Sequence, residues 1–365
     1  MEESPGHTPT NTDQQDIDQN ILELVEKQVG SRGVEFILKY VPDLASDYTV
    51  LVDSSARFNI LKQPRSNNNE IVNLAHVNQI RRINKFFLSV NLKLKPGGLF
   101  IGRAETISER KRRVYKKSFR PITDIYYFLD FLFHRVSSKV IGLKRVYFFV
   151  TKGRRRVLSR AEILGRLCSC GFEVIEETEI DNILYFAMRK KEEGNPTEDP
   201  SYGPLFKMNR IGKNGKVIGV YKMRTMHPYS EYLQEYIYKI NSLQEGGKFA
   251  DDFRISTLGK LFRKFWIDEL PMIYNLFNGD MKLIGVRPLS KHYLSLYAED
   301  LKELRTKVKP GLVPPFYADM PKTLEEVQDS ERRYLNAYLK SPIGTDIKYF
   351  FKTFYNIVIK RVRSK

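Results

Sequence analysis

The run TVLVD (49–53) is a short apolar stretch between polar residues, and it predicts a β-strand. From 76 to 94, Val77, Ile80, Ile83, Phe87 and Val90 recur at helical spacing, so a helix is expected there. LKPGGLFI follows, and its Pro-Gly-Gly turn feeds a strand at Leu99 to Ile101. Residues 159–170 predict a second helix, with Ser159 as N-cap, Glu162 completing a capping box and Gly171 as the stop. EVIEE and ILYFAM then read as two strands able to pair as a hairpin. This alternation predicts an α/β domain over 20–190, after a polar tail, 1–19, expected to be disordered.

KKEEGNPTEDPSYGP, with three prolines and two glycines, reads as a linker over 191–204, and a second domain is expected over 205–365. NRIGKNGKVIGVYKMRTM (209–226) predicts a β-hairpin turning at Asn214-Gly215. Its second strand puts Lys222 and Arg224 on one face, where two cations can hold a diphosphate or simply be solvated. Residues 229–240 carry an apolar stripe at helical spacing, best explained by burial. Ile255, Leu258, Leu261, Phe262, Phe265 and Trp266 form another stripe, for a core or for a membrane surface. Pro271 suits the first turn of the next helix, which puts Asp268 and Glu269 at or just before its N-terminus, where free amides favour anionic groups.

Composition narrows the partners. The chain has 365 residues, is 42% hydrophobic and carries a net charge of +18, which points to two or three globular domains with anionic partners. Cys168 and Cys170 are too close for a structural disulfide and too few for a zinc site, so they read as buried free thiols. No secretory signal and no membrane span is expected. Between the halves of the first domain lies an insert, 107–157, where RKRRVYKK and GRRR flank DIYYFLDFLF and KRVYFFV. Interleaved rings and cations suit a membrane interface, and an ordinary helical insert packing Tyr and Phe into a core is the equal alternative. A nucleic-acid patch is disfavoured, since no recognised binding motif accompanies it.

The acid pair Asp268-Glu269 is the centre of the candidate chemistry. Acids that can bind a metal and arginines that can bind phosphate are what phosphoryl transfer needs. Four blocks in order, RIGKNGKVIGVYKMRTM, DDFRISTLGKLFRKFWIDELPM, NLFNGDMKLIGVRP and KVKPGL, resemble the bacterial sugar transferase family, the monotopic polyprenyl-phosphate phosphoglycosyl transferases. The likeness implies an α+β transferase domain with amphipathic membrane-surface helices. It implies Asp268 as nucleophile, attacking the β-phosphate of a UDP-sugar, expelling UMP and passing the phosphosugar to a polyprenyl phosphate. Glu269 matches the family's Mg²⁺ ligand. Arg254, Arg263 and Arg287 match arginines expected near the phosphates or the uridine, and Lys222 and Arg224 match the family's basic strand. The implied location is the cytoplasmic face of a bacterial inner membrane, peripheral or monotopic, on an anionic surface, with homo-oligomerisation left open.

Some blocks depart from the family pattern. The polar linker stands where a hydrophobic re-entrant helix is usual, Gly-Val-Arg-Pro replaces Gly-Pro-Arg-Pro, and VPPFYAD follows KPGL. A catalytically silent paralogue that scaffolds glycan assembly is the competing reading. Residues 71–101 and 159–189 loosely resemble the second half of a class I methyltransferase, a truncated Rossmann-like fold. VLVD is followed by SSARFN rather than a glycine-rich loop, so the backbone cannot closely approach a cofactor there and a degenerate, non-catalytic domain is expected.

Overall fold

A computed structural model describes residues 11–63, 68–116, 120–137, 143–195, 202–240 and 252–360. The chain divides into two compact units, 1–200 with 228–236, and 201–227 with 237–365. Residues 1–10 and 196–201, parts of the expected tail and linker, lie outside the described residues. The helix Asn11–Val29 occupies the rest of the stretch expected to be disordered. Val25 and Val29 near its end are buried, and apolar burial of this kind outweighs the helix's polar start.

The first unit is built on a five-stranded sheet of β1 (Thr49–Val52), β2 (Asn68–His76), β3 (Leu94–Ala104), β4 (Phe172–Ile180) and β5 (Ile183–Lys190), in the order β1-β2-β3-β5-β4. β1, β2 and β3 run parallel, and β5 lies antiparallel between β3 and β4. The sheet is mixed α/β, as the alternating pattern requires. Successive residues of a strand face opposite sides. On β3, Ile101 joins Phe36, Ile37, Val72 and Ala187 on one side. Phe100 packs against Phe87, Phe172 and Phe186 on the other. The expected helix at 76–94 begins only at Ile83 and runs to Lys93, burying Ile83, Phe86, Phe87 and Val90 at helical spacing. His76 remains in β2, and a 3-10 turn, Val77–Gln79, intervenes.

Helix Arg160–Ser169 has the expected cap: Ser159 Oγ accepts from the Glu162 amide at 3.1 Å. Glu162 does not return to the cap backbone, because its carboxylate is bound by Arg135 and Arg166. Both cysteines are free, Cys170 buried as expected and Cys168 only partly so, and desolvation pushes both thiols up to about 12.

Pro228–Tyr236, read from sequence as part of the second domain, packs in the first unit. The Arg166 guanidinium lies 4.3 Å from the Tyr229 ring centroid, and Asn84 Nδ2 donates to the Tyr229 hydroxyl at 2.7 Å. Of the stripe at 229–240, Tyr229, Leu233 and Ile237 are buried as expected and Ile240 is exposed, and the stripe did not show which core would cover it.

The second unit opens with the hairpin of β6 (Leu205–Ile211) and β7 (Val217–Met223). Asn214 and Gly215 both have positive φ, 56° and 72°, as a tight hairpin turn of this hand demands. β8 (Lys282–Ile284) and β9 (Gly311–Val313) form a second, parallel pair. Two glycines make this pair: a Cβ on Gly311 would sit 2.1 Å from the Gly285 nitrogen. Ile284, Val286, Leu301, Tyr334 and Leu335 fill the core beside it. Among the described residues no helix is long and apolar enough to cross a membrane.

Candidate active site

The acid pair lies in a 3-10 turn, Ile267–Glu269, between helix Thr257–Lys264 and helix Met272–Phe277. Trp266 starts the turn in the left-handed region, φ 54°, a conformation that costs a bulky residue energy unless its surroundings hold it. They do: Trp266 Nε1 donates to the Tyr317 hydroxyl at 3.1 Å, and the rings meet edge to face. Asn356 Nδ2 in turn donates to the carbonyls of Tyr317 and Ala318 at 2.9 and 3.0 Å. VPPFYAD therefore supplies the support for the residue before the acids.

The turn changes one sequence expectation. The amides of Glu269 and Leu270 are not free for an anion, because they donate to the carbonyls of Trp266 and Ile267 at 3.1 and 3.2 Å. Side chains add positive charge to the site.

β7 delivers the first of these. Lys222 Nζ donates to Glu269 Oε1 at 2.6 Å, and both side chains are largely buried. Asp268 is half-buried, and burial raises its carboxyl above the usual carboxylate range; adjacent Glu269 adds to this, while Lys222 and Arg263 oppose it. Arg263 Nε donates to Thr225 Oγ1 at 3.0 Å, and its charge acts on both Asp268 and Asp252. Arg254 is buried and held by Asp252, with Nη2 to Oδ2 at 2.7 Å, and it acts electrostatically on Arg263. Lys222, Arg263, Asp268 and Glu269 thus form one cluster with Arg254 behind it.

Two predicted residues contact other groups. Arg224 lies one residue past β7, donates from Nε to the Gly203 carbonyl at 3.0 Å and covers the rings of Tyr202 and Phe206. Arg287 is exposed; its charge acts on Arg210 and its carbonyl is held by Arg305.

Sequence reading passed over Asn275 and Gly259. Asn275 is fully buried on Met272–Phe277, accepts from the Tyr221 amide at 3.2 Å and donates to the Gly219 carbonyl at 2.8 Å. It ties the helix after the acids to the strand bearing Lys222. A lone amide at an inward position of MIYNLF was the available signal. Gly259 lets helix Thr257–Lys264 rest on the strand end: a Cβ there would lie 1.9 Å from the Thr225 carbonyl oxygen. Gly259→Ala should therefore push the helix away, loosen the Arg263–Thr225 bond and cost roughly 1–3 kcal/mol. Urea unfolding measures this, with exposed Lys260→Ala as the control expected to change little.

A half-buried carboxyl of raised pKa, beside a second carboxylate and two cations, is the equipment of a phosphoryl-transfer site. The two adjacent acids also suit Mg²⁺, which commonly takes one or two protein carboxylates and completes its shell with phosphate and water. Among the described residues no group of three or more acid, His or Cys side chains is gathered for a metal.

Residues 197–360 match the family model described as bacterial sugar transferase, so the resemblance carried by the four blocks holds for the C-terminal region. The galactosyl transferase CpsE of Streptococcus agalactiae is 33% identical over 156 residues, covering 41% of this chain and 34% of that protein. The undecaprenyl-phosphate galactose phosphotransferase of Salmonella typhimurium is 26% identical over 233 residues, covering 62% of this chain and 45% of that protein. The chain thus spans less than half the length of these curated relatives. A solved methyltransferase of Thermotoga maritima matches 49% of this chain and 97% of that one, at 12% identity and a TM-score of 0.24, too low to carry weight.

Proposed function

We propose that the C-terminal region transfers a phosphosugar from a UDP-sugar to a polyprenyl phosphate. The observation that carries this reading is the cluster of Asp268, Glu269, Lys222 and Arg263. A carboxylate oxygen of Asp268 attacks the β-phosphorus of the UDP-sugar. The bond from that phosphorus to the bridging oxygen breaks, UMP leaves with the electron pair, and an aspartyl phosphosugar remains. An oxygen of the polyprenyl phosphate then attacks the same phosphorus and restores the Asp268 carboxylate. Covalent catalysis divides one exchange between two bulky anions into two smaller steps. Arg263 and Arg254 offset charge on the phosphates, and Lys222 orients Glu269. A divalent cation held at Glu269 would supply Lewis-acid stabilisation of the diphosphate.

Arg224 and Arg287 fit contacts to the uridine or to the distal phosphate. Exposed Leu258, Leu261, Phe265, Tyr274 and Phe277 near the acids support access for a lipid acceptor. In this reading the protein works at the cytoplasmic face of a bacterial inner membrane, and the N-terminal unit is a methyltransferase-like domain without catalysis of its own.

Purified full chain with Mg²⁺, a polyprenyl phosphate in nanodiscs and a panel of UDP-sugars should release UMP with one sugar or a few. Release should require the lipid phosphate for turnover and stop with EDTA. Silence across the panel from a folded, lipid-supplied protein would favour the scaffold paralogue. The Lys222–Glu269 pair is the observation on that side, since it satisfies Glu269 without a metal.

A further inference from the structure

We propose that the insert of the first unit is a docking surface for an anionic lipid bilayer. It comprises helices Ile107–Tyr115, Arg120–Phe131 and Leu143–Thr151, with a π-helical turn at Leu132–Val136. Residues 117–119 and 138–142 of this insert lie outside the described residues.

The two later helices are amphipathic in an inverted sense. Ile122, Ile125, Tyr126 and Leu129 are exposed at helical spacing on the first, and Leu143, Val146, Phe149 and Val150 on the second. Phe149 is 86% exposed. Several polar groups point inward. Asp130 accepts two bonds from Arg110, at 2.6 and 2.7 Å, with both side chains buried. Thr123 is buried, Arg135 is bound to Glu162, and Tyr147 is buried beside His134. Rotating either helix to hide its apolar stripe would strand these partners in the solvent-facing position. The fold therefore holds the apolar stripe outward, and such a patch on a folded protein marks an interaction site.

Charge selects the occupant. Residues 107–157 hold fifteen Lys and Arg against three acids. All three acids are already engaged: Glu109 accepts from the Thr106 amide, Asp124 accepts from the Tyr115 hydroxyl and Asp130 binds Arg110. Exposed Lys116, Arg120, Arg145 and Lys152 have no carboxylate partner among the described residues. Cations around an apolar, ring-rich stripe match an interface whose headgroups are anionic and whose interior is hydrocarbon. A second copy fits poorly, because a two-fold contact would set the same cations against each other.

This inference does not rest on the transferase reading, and its test does not use activity. Full-length Phe149→Cys, labelled with an environment-sensitive dye, reports burial at this one position whatever the second unit does. Burial raises both native thiols, and parent protein treated with the same dye serves as the blank. Vesicles of phosphatidylglycerol and phosphatidylcholine should blue-shift the dye, pure phosphatidylcholine should do so much less, and high salt should weaken the shift. In flotation, unlabelled Ile125→Ser/Phe149→Ser and Arg145→Glu/Lys152→Glu should each bind the anionic vesicles at least about tenfold more weakly. A dye that stays in water while the protein floats with the vesicles overturns the proposal. So does a lipid-free dimer that Phe149→Ser dissolves, since the patch would then be covered by a second copy.

Discussion

Asp268→Asn is expected to lower UMP release by roughly a thousand-fold or more while leaving the protein folded and slightly more stable at neutral pH. The side chain keeps its shape and loses the nucleophilic anion. The stability gain follows from the sign of the pKa shift. Burial holds the Asp268 carboxyl above its ordinary value of 3.8, so the folded state keeps this proton more tightly than the unfolded chain. Its contribution to stability is complete below the ordinary value and declines as pH rises through the raised one. Asparagine carries no such cost. The melting difference between variant and parent should be absent in acid, open as pH passes above about 4, and then stay level. Catalysis by the parent should rise over the same interval, because attack needs the ionised carboxylate. A variant retaining a tenth of the activity would remove Asp268 as nucleophile. One that is less stable at neutral pH would show instead that the carboxylate stabilises the turn.

The second large effect concerns stability. Arg305 and Glu331 form an ion pair whose side chains are only 6% and 2% exposed. Arg305 also donates to the Arg287 carbonyl, and so fixes the turn that presents Arg287. Burial pushes the Glu331 carboxyl up even beside its arginine. Arg305→Met leaves that acid buried with only the Tyr297 hydroxyl to bond it and no countercharge, a loss that typically costs about 3–5 kcal/mol. A loss of this size should lower the melting temperature by roughly 10 °C. The deficit should shrink in acid, where Glu331 takes up a proton. Arg305→Met with Glu331→Leu should recover much of it, since a packed apolar pair can replace a buried ion pair. A single variant that melts like the parent would show that solvent reaches the pair.

Much of this protein was legible locally. The capped helix at 160–169, the Asn214-Gly215 turn and the pairing of β4 with β5 depend on residues close in sequence. So does the acid pair itself, which the four blocks pointed to. The start of Asn11–Val29 was not legible, because the polar residues that open it are carried by apolar burial farther along. Nor was the loss of the Glu269 and Leu270 amides: the 3-10 turn consumes these two, and what holds that turn is Trp266 against Tyr317, fifty-one residues away.

By itself the sequence determined element types, the likeness of the C-terminal region to bacterial sugar transferases and which residues could do the chemistry. Those properties lie in periodicity, turn residues and residue types at short spacing. The tertiary structure alone decided that Lys222 meets Glu269 across forty-seven residues, that backbones approach closely at Gly259 and Gly311, and that Arg224 takes the Gly203 carbonyl while Arg287 lies beside Arg210. It also decided which side of the insert faces out. A helical stripe shows that one face is apolar, but whether that face is buried depends on where Arg110 binds Asp130, and only the folded chain brings those two together.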